Sequence, residues 1–296
     1  MATSVQQAFL QFKSNLEITD YQASLVSQRR NNVVSAISRV LKLHPDTPSL
    51  LIGSYDRHTL TRYLSEGDVD VMVILHYGEN KGWDTPQGTT QALDKFKAIL
   101  DDAYPSTEKR RDRNCITMKF TEFRLDVVPA FMNDSGFYKI PDSVRQTWVW
   151  THPIRFAEAI SAVNGRMENT IAPLIKMVKG WNRNVGWPLR SFHLECLLHN
   201  QCCAYPQRYS YSSMLKVFFD TLPGHLLTMC KDPIAGDRVD TYLDNIAAET
   251  RRQIAIRKAR DAAAIASKAF DCETTNPEVS IKTWRPLLGE FFPTYG

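Results

Sequence analysis

The sequence predicts an α+β fold in which a mixed β-sheet is followed by a largely helical second half. Residues 68–75 alternate strictly between two faces, which is the period of a β-strand. Residues 115–120 and 123–128 predict two further strands, arranged as a hairpin. Later in the chain, apolar residues recur at helical spacing. We therefore expect a sheet-containing domain over residues 1–150 and a helical lobe over residues 151–296.

The first half also contains one long predicted helix. Apolar residues recur at helical spacing over residues 20–43, behind Asp20 as the N-cap. Two prolines within residues 44–48 end this helix, and the apolar run Ser49–Ile52 then predicts a strand. The helices predicted for the second half cover residues 153–163, 168–183, 191–204, 211–221 and 237–270.

Length and composition restrict the class of protein. A chain of 296 residues with 43% hydrophobic content can bury a large core and form two lobes around a cleft. It has no apolar run of about 18 residues and no signal-peptide pattern at its N-terminus, so we expect a cytoplasmic protein with no membrane partner. The net charge of +4 suits polyphosphate substrates without requiring a nucleic-acid surface.

The six cysteines predict neither a disulfide scaffold nor a zinc ribbon, because no C-x-x-C spacing occurs. His199 lies near Cys202 and Cys203 in the sequence, but a fourth ligand at suitable spacing is absent. We expect reduced thiols that pack in the core.

Three aspartates carry the predicted chemistry. Asp68 and Asp70 lie two residues apart on one strand, so both carboxylates leave the same face and can converge on hard cations. A neighbouring strand would bring Asp126 to the pair. Three carboxylates suit two Mg²⁺ ions, about 4 Å apart, which activate an attacking hydroxyl and neutralise charge on a leaving pyrophosphate. Asp126 is the candidate to receive or position the hydroxyl proton.

A glycine and a serine follow the short strand. Gly53 lets a phosphate approach the backbone closely, while Ser54 and the following amides donate hydrogen bonds, which predicts a triphosphate cradle. Taken singly, D-x-D pairs and Gly-Ser dipeptides are also common at turns and surface edges. Their order favours function: Gly-Ser, 13 residues, D-h-D-h, then a late D-h-h on a strand.

These segments resemble a known superfamily. Three of them match the pattern of the DNA polymerase β-like nucleotidyltransferases, namely residues 53–59 (G-S-Y-D-R-H-T), 68–71 (D-V-D-V) and 125–130 (L-D-V-V-P-A). Residues 173–182 and 191–195 (S-F-H-L-E) resemble the helical lobe of the cGAS/DncV-like nucleotidyltransferases of bacterial anti-phage signalling. The resemblance spans about residues 49–245, with residues 232–233 and Asn245 as later markers.

The resemblance implies a polymerase β-like nucleotidyltransferase core with a mixed sheet, packed on a helical C-terminal lobe that closes a nucleotide pocket. The substrates would be nucleoside triphosphates, ATP and also GTP, UTP or CTP, with two Mg²⁺ ions for which Mn²⁺ substitutes. The product would be a cyclic di- or trinucleotide second messenger, released with pyrophosphate and read by a downstream effector.

The family pattern also implies roles outside the aspartates. A lysine and a serine of the helical lobe contact the triphosphate, and they correspond to Lys176 and Ser191. Phe192 then lies where an aromatic ring stacks on a base, and Arg57 and Thr59 match positions near the cradle. The residues themselves leave alternatives open, because Phe192 also suits an ordinary core and Lys176 a solvated helix face.

Two departures concern nucleic acid. The zinc insertion of the animal double-stranded DNA sensor is not apparent, since no H-x5-C-C pattern precedes the predicted helices, so DNA is not expected as an activator. Basic clusters at residues 109–113 and 251–260 are interpreted as solvated faces rather than RNA-binding surfaces.

Several functional alternatives remain at this point. The extended C-terminal tail ending in Gly296 is either accessible to conjugation, as in some bacterial relatives, or simply frayed. The chain could instead be a linear nucleotidyltransferase acting on RNA, an antibiotic or a protein. A catalytically inactive nucleotide sensor is the third possibility, although the three aspartates argue against it.

Overall fold

The computed structural model describes residues 1–244 and 246–296, and these divide into two compact units. One unit is the continuous segment Ile18–Ala157. The other combines Met1–Glu17 with Glu158–Gly296, so the first residues of the chain belong with its C-terminal half.

Helices account for about half of the chain. Those of the described residues are α1 (Val5–Leu16), α2 (Asp20–Ser38), α3 (Gly53–Asp56), α4 (Tyr77–Asn80), α5 (Gly88–Ala103), α6 (Pro153–Arg166), α7 (Ile171–Asn184), α8 (Ser191–Cys203), α9 (Tyr211–His225), α10 (Ile246–Asp271) and α11 (Pro277–Leu288). Short 3-10 turns lie at Leu64–Glu66, Lys81–Trp83 and Thr241–Leu243.

The strands belong to the unit Ile18–Ala157. They are β1 (Ser49–Ile52), β2 (Asp68–Ile74), β3 (Glu108–Arg111), β4 (Ile116–Lys119), β5 (Arg124–Met132), β6 (Tyr138–Asp142) and β7 (Thr147–Thr151). The sheet order is β1-β2-β5-β4-β3, and β6 and β7 continue from the far end of β5. The pair β2–β5 is parallel and the other pairs are antiparallel, so the predicted mixed sheet, the β4–β5 hairpin and the α+β class are confirmed.

One face of this sheet carries the larger hydrophobic cluster of the unit. Val69 and Val71 of β2 and Leu125 of β5 pack with apolar residues of α2 and α5 in one hydrophobic cluster. The opposite face carries a smaller cluster, which includes Met72 and Ala130. Because side chains alternate along a strand, this second face is also the one that carries the aspartates.

Helix α2 begins one residue earlier than the sequence indicated. Its N-cap is Thr19, not Asp20, because Thr19 and Gln22 form a capping box in which each side chain accepts from the other's backbone N–H, at 3.2 and 3.0 Å. The helix ends at Ser38, five residues before the predicted end.

The unit formed by Met1–Glu17 and Glu158–Gly296 is helical. Helix α1 packs on α7, α9 and α11, which is why the N-terminus joins this unit and not the sheet. Phe9 meets Trp284 and Phe292 edge to face, with ring centroids 5.4 and 5.1 Å apart. The C-terminal tail is paired with the N-terminus, since Ala2 donates to the Thr294 carbonyl at 3.0 Å.

The start of α10 differs from the prediction. The sequence indicated one helix over residues 237–270, but Arg238 bridges Asp240 and Asp244 in the segment before the helix, and residues Thr241–Leu243 form a separate 3-10 turn. The marker Asn245 lies outside the described residues. Among the helices described, none is both long and apolar enough to cross a membrane.

Candidate active site

The three aspartates lie together on one face of the sheet. Strands β2 and β5 are parallel neighbours, and their register places Asp70 directly opposite Asp126 and Asp68 opposite Arg124. Side chains two apart on a strand share a face, so Asp68, Asp70 and Asp126 all leave the sheet on the same side. They lie at the N-terminal ends of both strands.

The strand β4 adds a third side chain to the row of paired residues that contains Asp70 and Asp126. The row that contains Asp70 and Asp126 continues to Thr117 of β4, and Thr117 Oγ1 donates to Asp126 Oδ1 at 2.6 Å. The sequence analysis did not identify Thr117. The sequence could have indicated Thr117. In the predicted hairpin the two strands pair antiparallel about their turn, so Asp126 must lie opposite a residue of the preceding strand.

Asp68 has a charged partner on the same face. Arg124 Nε donates to Asp68 Oδ1, and both side chains remain about half exposed, at 45% and 48%. Arg124 was also missed, although its spacing of two from Asp126 puts both on one face of β5.

The surroundings of Asp126 shift the pKa of its carboxyl. Burial raises the pKa of its carboxyl above the usual range, the hydrogen bond from Thr117 opposes the rise, and the charge of Asp68 adds to it. Burial, together with the Asp126 carboxylate, also raises the pKa of the Cys115 thiol, which lies just before β4. The face is therefore locally electronegative, as a cation site requires.

In the described part of the chain, no three or more His, Cys, Asp or Glu side chains lie close enough together to hold a metal ion as they stand. Asp68 is engaged by Arg124 and Asp126 by Thr117. The donor set itself suits a hard divalent cation, because carboxylate oxygens are the ligands that Mg²⁺ takes from proteins. Asp68 would exchange Arg124 for such an ion.

Gly53 lies against Asp70. Ile52 at the end of β1 pairs with Asp70, so the chain turns into α3 beside that carboxylate. Gly53 has φ +70°, and a Cβ at this position would lie 2.2 Å from Asp70 Oδ2. The turn is closed by the Ser54 carbonyl, which accepts from Thr59 N–H and Leu60 N–H, both at 2.9 Å. Only glycine combines this backbone conformation with so close an approach.

The other predicted residues near the cradle have structural partners. The Arg57 guanidinium lies 5.2 Å from the centroid of the Phe156 ring, a cation–π distance. Thr59 is fully buried.

Lys176, Ser191 and Phe192 lie in the helical unit. Lys176 on α7 is buried and its ammonium pairs with Glu17, so the alternative of a solvated helix lysine is wrong. Ser191 is the first residue of α8, as predicted, and both Ser191 and Phe192 are partly exposed.

Helices α7 and α8 are joined by a buried ion pair, Lys179–Glu195, at 2.6 Å. Lys179 lies one turn after Lys176, and Glu195 lies one turn after Ser191. The ion pair therefore connects α7 to α8 one turn away from these two candidate residues. The sequence carried no signal that would have matched these two residues.

We expect Asp126→Asn to stabilise the protein. At neutral pH the ionised carboxylate is disfavoured by burial, and asparagine can still accept from Thr117, so the free energy of unfolding should rise by on the order of 1 kcal/mol. Because the folded-state pKa is raised, the gain should shrink as the pH falls and wild-type Asp126 becomes protonated. Denaturant unfolding in EDTA at about pH 7.5 and at about pH 4, close to the ordinary pKa of an aspartate carboxyl, measures both. A destabilised variant at pH 7.5 would contradict the electrostatic account.

The fold and this site together define a class. A mixed sheet with two aspartates on one strand, a third on its parallel neighbour and a glycine turn beside them is the arrangement of a polymerase β-like nucleotidyltransferase core.

Comparison with known proteins gives the family. The sequence model of the Second Messenger Oligonucleotide or Dinucleotide Synthetase (SMODS) domain matches residues 3–164. The chain therefore belongs to this family, the cGAS/DncV-like nucleotidyltransferases, and its predicted assignment to them is confirmed. It is a nucleotidyltransferase, and the prediction of an enzyme that makes an oligonucleotide second messenger is confirmed at the level of the family.

The relatives match over most of the chain. A cyclic AMP-AMP-AMP synthase of Acinetobacter sp. is 27% identical, with 98% of this chain and 86% of that protein covered. The structure of E. coli MS115-1 CdnC with ATP matches with a TM-score of 0.72 at 17% identity, covering 97% of this chain and 98% of the other. Vibrio cholerae DncV, solved with a linear intermediate, matches with a TM-score of 0.64 at 14% identity, covering 83% and 70%.

Proposed function

We propose that this protein joins nucleoside triphosphates, ATP among them, into a cyclic oligonucleotide and releases pyrophosphate at each step, with two Mg²⁺ ions held by Asp68, Asp70 and Asp126. The observation that carries the proposal is the register that sets Asp70 opposite Asp126 beside Gly53. Three hard ligands and a closely approached backbone turn are what a metal-bound triphosphate needs.

When bound, the ions neutralise charge on the triphosphate and lower the pKa of the attacking hydroxyl. The chain's own residues do the rest. Thr117 engages Oδ1 of Asp126, so we assign Oδ2 to the hydroxyl proton. Arg124 holds Asp68 until the substrate enters.

The triphosphate and base are assigned to further residues. Ser54 and the amides after Gly53 donate to phosphate oxygens, and Lys176 and Ser191 contact the triphosphate from the helical unit. Phe192 stacks on a base, a contact that tolerates any base because each has a π-face. Support comes from the family motifs and from the partial exposure of Ser191 and Phe192.

The product we favour is a cyclic trinucleotide made from ATP. Its support is the cyclic AMP-AMP-AMP synthase that aligns over 98% of this chain. E. coli relatives named as CBASS oligonucleotide cyclases support a role in anti-phage signalling, in which an effector reads the product.

The test is an incubation of purified protein with each labelled nucleoside triphosphate, alone and mixed, with Mg²⁺ or Mn²⁺. We expect pyrophosphate release and a phosphatase-resistant product from ATP alone, both stopped by EDTA. Phosphatase-sensitive chains would indicate linear transfer, and an absence of pyrophosphate would indicate a sensor.

A further inference from the structure

The ammonium of Lys176 already has an anionic partner in the helical unit. It pairs with the Glu17 carboxylate, and the two groups differ in exposure: the Lys176 side chain is 5% exposed and that of Glu17 44%. A ligand that arrives from solvent therefore meets Glu17 first and reaches the ammonium by replacing it.

Helix geometry does not explain the position of Glu17. This residue is the C-cap of α1, where backbone carbonyls point outward and a negative charge is disfavoured. Its carboxylate also lies close enough to Tyr211 to add to the rise in that phenol's pKa, which burial raises to about 12. Lys176 supplies the explanation, because a buried ammonium without a counter-ion is costly.

We propose that Glu17 is the internal counter-ion of Lys176, that the triphosphate displaces it, and that Glu17 thereby sets the enzyme's affinity for nucleotide. The inference rests on the proposed function, in which Lys176 contacts the triphosphate. The Lys176 ammonium cannot hold the Glu17 carboxylate and a phosphate group in the same position at the same time. The free energy of the Glu17–Lys176 pair is therefore subtracted from the free energy of nucleotide binding.

Glu17→Gln tests the sign of this effect. Glutamine keeps the size and one accepting oxygen but removes the charge that competes with phosphate. We expect the Kd for α,β-methylene-ATP with Mg²⁺, measured by calorimetry on the full chain, to fall about threefold to tenfold, the size of one partly exposed ion pair. If Glu17 instead helps to bind nucleotide, the Kd will rise.

Three further variants complete the test. Lys176→Ala should weaken binding, and adding Glu17→Gln to it should change nothing more, because the two act through one contact. Glu168→Gln, which removes an exposed pair with Arg208 in the same unit, is the matched control and should leave the Kd unchanged. Glu17→Asp, which keeps the charge on a shorter side chain, should give a smaller gain and serves if Glu17→Gln does not fold.

The outcomes separate the two claims. Tighter binding by Glu17→Gln that disappears in the Lys176→Ala background supports the inference. Unchanged or weaker binding by Glu17→Gln, with wild-type protein binding the analogue normally, overturns it and leaves the proposed function standing. A wild-type protein that does not bind the analogue overturns both.

Discussion

Asp70→Asn should lower the rate of oligonucleotide synthesis by at least about a thousandfold, the loss expected when a metal ligand worth several kcal/mol in the transition state is removed. Asp70 is central to the site, since it lies opposite Asp126 and against Gly53. Asparagine has the same shape, so the pairing of β2 with β5 should persist. The measurement is pyrophosphate release from ATP with Mg²⁺ and with Mn²⁺.

The control for Asp70→Asn is Asp134→Asn. Asp134 is an exposed aspartate just beyond the far end of β5, so its substitution makes the same chemical change outside the site. Both variants should keep the wild-type circular dichroism spectrum and cooperative melting. Activity of Asp70→Asn within about tenfold of wild type would contradict the metal assignment.

The sequence predicts the shared face of the aspartates but not their register. Strict alternation over residues 68–75 establishes that Asp68 and Asp70 point the same way, because the strand period is two. The pairing of Asp70 with Asp126 joins residues 56 apart (126 minus 70), and it depends on how β2 and β5 pack against α2 and α5. No local pattern encodes that choice.

The missed elements have different causes. Helix α5 carried a readable signal, since Leu93, Phe96 and Leu100 recur at helical spacing, but this segment was not assigned. Strand β7, Thr147–Thr151, is partly exposed on both faces and therefore lacks alternation. Helix α1 was missed as well. It belongs to the C-terminal unit because Phe9 packs against Trp284 and Phe292, which are distant in sequence.

Charged residues were the hardest to interpret from sequence. The basic cluster at residues 109–113 was expected to be a solvated face, yet the Lys109 side chain is 3% exposed and its ammonium donates to the Tyr104 and Thr107 carbonyls. In the same cluster Arg113 pairs with Asp142 and lowers the pKa of that carboxyl to about 2. Composition gives the charge of such a cluster, whereas the partners come from the fold.

Gly53→Ala should reduce activity far more than stability. The added Cβ would lie 2.2 Å from Asp70 Oδ2, so the carboxylate must move, and φ +70° adds strain of about 1–2 kcal/mol for any residue with a Cβ. The atom that yields is the end of the Asp70 side chain, not the backbone of β2. The sheet should therefore survive while a proposed metal ligand is displaced.

We expect the rate of pyrophosphate release from Gly53→Ala to fall by at least about a hundredfold, because a displacement of about 1 Å in a catalytic group costs that much. The free energy of unfolding should fall only by the backbone strain. Gly82→Ala is the matched control, since a Cβ there meets nothing within 4 Å, and it should leave activity and stability unchanged. If Gly53→Ala retained wild-type activity, Asp70 could not act from the position it occupies, and the assignment of its carboxylate would have to be abandoned.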